Sequence, residues 1–294
     1  LFFCVLSTAT AEVRLELTQG QDARTPIAVA PFDNSDASVA ALSRIISDDL
    51  NHSGRFRSEV SQARKVPHVV EEVDQSLFQA AGYDDLVIGQ VKALGGGRYQ
   101  INYALIDLFG QGTNPVLSTQ RYTVTRTQLR QAAHTIANDI YYQLTGFKGF
   151  FTSHLTYVSV QKSPYGKRYK LIVSDYDGFN PQTLVDSNVP IMSPRWSPDN
   201  KVIAYVTFNQ KGSVIYNVEL ATGKRVKIAD YKGVNGAPAW APDGNHLALV
   251  LSKSGSPNIY IAALHPQSLI RITDGRHIDN EPAYATDGRS IYFT

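Results

Sequence analysis

Cysteine is nearly missing from the 294 residues, with Cys4 the single example. That excludes an internal disulfide framework and any zinc site built on cysteine pairs. Methionine occurs once and tryptophan twice. Charge of one sign is also missing, since 28 Lys and Arg oppose 26 Asp and Glu. The densest basic stretch, Arg55, Arg57, Arg64 and Lys65, reads as a solvated face and not as a nucleic-acid surface. Beyond the first residues no apolar run reaches the roughly 18 residues that a membrane helix needs.

Catalytic patterns are absent too. No G-x-S-x-G elbow occurs, and His52, His68, His134, His154, His246, His265 and His277 form no H-E-x-x-H or other short metal spacing. The adjacent pairs Asp48-Asp49, Glu71-Glu72 and Asp84-Asp85 diverge on either a helix or a strand, so they do not aim two carboxylates at one substrate. Gly95-Gly96-Gly97 joins two strand patterns and opens no helix, which excludes a phosphate loop. The sequence predicts neither an enzyme nor a metal or cofactor site.

The chain starts with apolar Leu1, Phe2, Phe3, Val5 and Leu6, and Ala9-Thr10-Ala11 fits an A-x-A cleavage site. Residues 1–11 therefore read as the remnant of a secretory signal, with the mature chain starting at Glu12. The rival reading is a buried N-terminal strand. Cleavage would remove the only thiol, which suits an exported protein in an oxidising compartment.

An internal repeat organises the second half. Pro194-Arg195-Trp196-Ser197-Pro198-Asp199-Asn200 recurs as Pro238-Ala239-Trp240-Ala241-Pro242-Asp243-Gly244 and as Pro282-Ala283-Tyr284-Ala285-Thr286-Asp287-Gly288. Ile172, Tyr216 and Tyr260 keep the same step, as do Leu184, Ile228 and Ile272. A period of about 40–50 residues with four short strands per unit predicts a β-propeller. The aromatic residue ends an inner strand, and the Pro-Asp-Asn or Pro-Asp-Gly that follows makes a tight turn. Segments 154–160, 169–173 and 182–185 supply only second, third and fourth strands. Their inner strand is expected from beyond residue 294, so the chain reads as a fragment with about three of its blades.

The first half carries no repeat. Residues 26–32 read as a buried strand. Val39, Leu42, Ile45, Ile46 and Leu50 have helical spacing, with Gly54 as the stop. Residues 86–94 and 99–108 form a predicted hairpin, and 116–124 a further strand. Leu129, Ala133, Ile136, Ile140 and Leu144 mark a second helix, with Thr127 as cap and Gly146 as terminator. The expected fold is α+β with two domains: an N-terminal α/β sandwich over 12–147, then a truncated six-bladed β-propeller of PD40/WD40-like repeats over 148–294. The segment Gly146-Phe147-Lys148-Gly149 is the expected hinge.

Several stretches carry a specific likeness. Ser174-Asp175-Tyr176-Asp177-Gly178, Met192-Ser193-Pro194-Arg195-Trp196-Ser197-Pro198-Asp199, Asn235-Gly236-Ala237-Pro238 and Thr273-Asp274-Gly275-Arg276 resemble the TolB family of the Tol-Pal system. In the first half, Leu144-Thr145-Gly146-Phe147-Lys148-Gly149 is similar to it as well. The resemblance covers nearly the whole chain. It implies a periplasmic scaffold that binds the outer-membrane lipoprotein Pal and the inner-membrane protein TolA. Outer-membrane invagination during cell division and envelope integrity would depend on it, and colicin-type bacteriocins can exploit the Pal-facing surface.

By that resemblance, the TolA segment comprises Glu12, Val13, Arg14, Leu15, Glu16 and Leu17, whose alternation suits addition to a partner's sheet edge. The same alternation also suits a strand docked on its own domain, and exchange between the two states would make a switch that Pal binding controls. The Pal face comprises Met192, Ser193, Val234, Asn235, Gly236, Ala237, Asn280 and Glu281, in loops that enter inner strands. Val234 and Asn280 stand where the family pattern has His and Thr, which puts the detailed contact chemistry in question. Small residues that merely shape a tight loop are the competing reading of the same positions. The other functional class to weigh is the substrate-gating propeller of a serine hydrolase or peptidase.

Overall fold

The computed structural model describes residues 23–32, 37–62, 65–110, 115–164 and 166–294. The expected signal remnant, the six residues of the TolA segment, and Arg64 lie outside them. The chain divides into two compact units, 1–152 and 153–294. Among the described residues no helix is long and apolar enough to cross a membrane.

The first unit is built on one mixed sheet. Its strands are β1 (Thr25–Val29), β2 (Phe56–Val60), β3 (Asp85–Gly95), β4 (Arg98–Asp107) and β5 (Val116–Thr125), in the order β2-β1-β3-β4-β5. β1 runs parallel to β2 and β3, whereas β3, β4 and β5 form an antiparallel meander. Alternation along the strands sends side chains to two faces. Ala28, Leu86, Ile88, Ala104 and Ile106 fill one face and meet Phe78 of α2 (Gln75–Ala80) and the preceding Val66, Val70 and Val73. The other face is covered by α1 (Ala37–His52) and α3 (Leu129–Thr145), which pack on the sheet and on each other. Leu42, Ile46 and Leu50 of α1 and Ile136 and Ile140 of α3 are fully buried, each contributing about 2 kcal/mol. Gly89 has no side chain because the Phe32 ring occupies that space; an added Cβ would lie 2.1 Å from it.

Side chains of α1 also fasten the sheet. Ser43 Oγ donates to Ala30 C=O at 3.1 Å and accepts from Phe32 N–H at 2.8 Å. Asn51 reaches the outer edge of β2, where its amide donates to Ser58 C=O and accepts from Ser58 N–H, both at 2.8 Å. α3 ends as its sequence predicts, with Gly146 left-handed at φ 74° and bonded to Tyr142 C=O. Its start differs from expectation. A 3₁₀ turn (Arg126–Gln128) precedes it, and the capping box forms on Thr125 instead of Thr127. Thr125 N–H donates to the Gln128 side chain at 3.0 Å. Gly149 sits against Asn138 of α3, and Phe151 N–H donates to Asn138 Oδ1.

In the second unit the repeat becomes a series of antiparallel sheets. The first has three strands, β6 (His154–Ser163), β7 (Gly166–Asp175) and β8 (Gln182–Ser187). Two four-stranded sheets follow. One comprises β9 (Met192–Trp196), β10 (Val202–Asn209), β11 (Gly212–Glu219) and β12 (Arg225–Ala229). The next comprises β13 (Asn235–Trp240), β14 (His246–Leu251), β15 (Asn258–Ala263) and β16 (Ser268–Arg271). A pair, β17 (Ala283–Tyr284) and β18 (Ile291–Tyr292), starts another. The sheets stack face on face. Leu171, Val173 and Val185 of the first meet Ile203, Tyr205 and Val218 of the second. Ala204, Val206 and Ile215 of the second meet Leu247, Leu249 and Tyr260 of the third.

One residue breaks this stacking. Register places Val173, Asn217 and Ile261 at equivalent positions of β7, β11 and β15. Asn217 is 7% exposed, and its Oδ1 has no hydrogen-bond partner. It lines a furrow of about 350 Å³ between the second and third sheets, beside Val226, Ile228, Trp240 and Leu264.

Candidate functional site

The chain passes from each outer strand to the next inner strand at one end of the sheets. There a backbone feature repeats with the sequence period. Ser193, Ala237 and Glu281 have φ of 49°, 45° and 47°, and each precedes a proline, Pro194, Pro238 or Pro282. Left-handed backbone is unfavourable for any residue with a Cβ, and a following proline favours extended backbone instead. Each position therefore stores about 1–3 kcal/mol of strain held by its surroundings. The register shows how. Met192 and Arg195 oppose Val206 and Ala204, so Ser193 and Pro194 together face Tyr205 alone. Ala237 and Pro238 likewise face Leu249 alone. These are bulges, and proline suits them because it brings no N–H that the ladder would leave unpaired.

Around the second bulge the loop is clamped. Asn235 is fully buried. Its amide donates to Tyr231 C=O at 2.7 Å and Ser213 C=O at 2.8 Å, and its Oδ1 accepts from Tyr231 N–H at 2.9 Å. Ser252 Oγ accepts from Val234 N–H at 2.7 Å. Gly233 has φ 92°, and a Cβ there would lie 2.2 Å from Ser252 Oγ, so only glycine fits. Lys253 holds its ammonium 4.4 Å from the centre of the Tyr231 ring. One repeat later, Asp279 N–H donates to Pro257 C=O, and its carboxylate accepts from Asn258. The Thr273 hydroxyl, and after it the Asn258 amide, hold the Asp279 carboxyl below its ordinary range despite some desolvation. Asn280 exchanges backbone bonds of 2.8 and 2.9 Å with Thr294.

Of the residues predicted for this face, Met192 and Val234 are exposed at 50% and 46%. Asn280 and Glu281 are exposed, while Ser193, Gly236 and Ala237 are half-buried. Asn235 lies inside and shapes the loop without forming its surface. Sequence reasoning missed Ile278, which repeats the position of Val234 and is 70% exposed. It also overlooked the strain at Ser193, Ala237 and Glu281, although a residue before proline recurring every 44 positions was readable. The outcome is a stiff backbone rim bearing single aliphatic side chains. That arrangement suits contact with a folded surface.

Histidine–carboxylate pairs occur elsewhere. His134 Nδ1 and Asp49 Oδ2 lie 2.7 Å apart, joining α3 to α1, with side chains 1% and 2% exposed, too deep to meet a substrate. His246 pairs with Asp243 at 2.6 Å in the β13–β14 turn. Backbone N–H of Asn245 foremost, with help from His246, holds the Asp243 carboxyl below its ordinary range. Among the described residues no group of three His, Cys, Asp or Glu side chains could hold a metal ion.

The TolB amino-terminal domain family matches residues 13–113, and the TolB beta propeller domain family matches 141–294. The Tol-Pal system protein TolB of Methylococcus capsulatus is 45% identical over 77% of this chain and 53% of the relative. That of Mannheimia succiniciproducens is 41% identical over 81% of this chain and 56% of its own length. The crystal structure of TolB from Acinetobacter baumannii superposes with a TM-score of 0.82 at 36% identity, covering 91% of this chain and 65% of the other. The chain thus spans about half the length of the curated relatives it matches. With both halves matched in order by the family's two domains, and with a solved relative superposing over 91% of this chain, the chain belongs to the TolB family.

Proposed function

We propose that this protein is a noncatalytic periplasmic scaffold of the Tol-Pal system, binding Pal through the rim of its repeated sheets. The supporting observation is the strained residue before proline, held at Ser193, Ala237 and Glu281 in successive sheets. Such a rim is preorganised, so binding loses little entropy in ordering it. Met192, Val234 and Ile278 supply the apolar contacts. Glu12, Val13, Arg14, Leu15, Glu16 and Leu17 form the segment that adds as a strand to TolA. Through these two contacts the protein supports outer-membrane invagination during division and envelope integrity.

Replacing Ala237 by Arg keeps a side chain with a Cβ at the strained position and places a long cation on the rim. Calorimetric titration of the full-length variant with Pal is expected to show affinity at least about tenfold weaker, with the circular dichroism spectrum unchanged. Undiminished Pal affinity would remove the rim from the interface. A parallel titration with TolA should be unaffected by Ala237→Arg and lost on deleting residues 12–17.

A further inference from the structure

The furrow of about 350 Å³ between the second and third sheets lies away from the rim. It opens where the β9–β10, β11–β12 and β15–β16 turns gather, at the opposite end of the strands. Its innermost polar group belongs to Asn217. That side chain is 7% exposed and stands where the neighbouring sheets carry Val173 and Ile261. Its amide oxygen has no hydrogen-bond partner. A buried acceptor left unmet is costly, and it calls for a donor from outside the chain.

The surroundings narrow the class of that donor. Val226, Ile228 and Leu264 make the walls apolar. Trp240 lines the furrow too, and its indole is pinned across the gap, with Nε1 donating to Arg195 C=O of the second sheet at 3.1 Å. Glu219 stands two residues along β11 from Asn217, on the same face and about 7 Å nearer the opening. Thr222 Oγ donates to Glu219 Oε2 at 2.6 Å, which steadies the carboxylate and leaves Oε1 for another donor. Asp199 is instead matched within its own turn, by Ser197 Oγ at 2.6 Å and Lys201 N–H at 3.2 Å. Lys224 and His265 also line the furrow, so a bare point charge gains little there.

We infer that this furrow is a binding site for a guanidinium group, carried on an arginine side chain of a partner protein. A guanidinium is flat and weakly hydrated, and it bears its N–H donors in a rigid fork. It stacks on Trp240, donates to Asn217 Oδ1 at the inner end and donates to Glu219 at the outer end. Two hydrogen bonds of about 2.9 Å, with the fork between them, span the distance from one residue to the other. An ammonium has no flat face for the indole, and its stronger hydration is lost on entry. An uncharged amide leaves Glu219 without a counter-ion. The site does not depend on Pal binding at the rim.

The test titrates the full, isotope-labelled chain with N-acetyl-arginine amide and follows the indole N–H signals of Trp196 and Trp240 by NMR. Trp196→Phe tells the two signals apart. The Trp240 signal should shift saturably at millimolar probe, while that of Trp196, which packs between the first and second sheets, stays in place. N-acetyl-citrulline amide, with the same shape and no charge, should bind at least about tenfold more weakly, and Glu219→Gln should weaken the arginine compound to a similar degree. Asn217→Val fills its position as the neighbouring sheets do, so it keeps the fold and should abolish the shift. No saturable shift at Trp240, the result if water alone fills the furrow, overturns the inference. So does undiminished binding in Asn217→Val, or equal binding of the arginine and citrulline compounds.

Discussion

Asp85 enters β3 between two other strands, paired with Asp107 on β4 and Ile27 on β1. Desolvation first, then the charges of Asp107 and Asp84, push its carboxyl from 3.8 up to about 7. The folded state thus holds a proton that the unfolded chain has released between those values. Stability from this residue is undiminished below about pH 4, falls as pH rises towards 7, and is lost above it, by at most about 4 kcal/mol. Asp85→Asn is therefore expected to gain little in urea denaturation at pH 4 and a few kcal/mol at pH 8. Equal gains at both values would show that the carboxyl is solvated. Asn235 gives the opposite case. Asn235→Ala strands Tyr231 N–H and C=O and Ser213 C=O without their partner, and should cost about 2–4 kcal/mol in the same assay. Neither role was legible in the sequence. Asp84-Asp85 read only as two diverging carboxylates, and Asn235 read as a contact residue, because burial is set by strands distant along the chain.

At the level of elements, the sequence was informative wherever one period ran long enough. The 44-residue repeat foretold the inner strands, the tight turns after Trp196 and Trp240, and the three-stranded first sheet. Helical spacing foretold α1 and α3. What escaped were short pieces such as β2 and α2. β2 alternates buried and exposed residues over only five positions, and its basic side chains drew attention to charge. The cap of α3 moved to Thr125 because the intervening 3₁₀ turn uses the residues that a direct start would have used. The same periodicity exposes one misfit. Asn217 occupies a position that its neighbours fill with Val173 and Ile261, and it buries an amide oxygen with no partner. Asn217→Val should stabilise the protein by about 1–2 kcal/mol in thermal or urea unfolding. A loss of stability would mean that the amide is satisfied by solvent in the furrow.

Over the whole molecule, the order of an α/β unit before a run of radial sheets could be read from residue patterns, and the rim could be located. Its stiffness could not, since backbone strain at Ser193, Ala237 and Glu281 arises from bulges that only register reveals. The Asn51 clasp on β2 carries a consequence of its own. With both backbone groups of Ser58 taken by a side chain of the same unit, an extended segment cannot zip along that strand past its middle, and this border of the sheet is closed to extension.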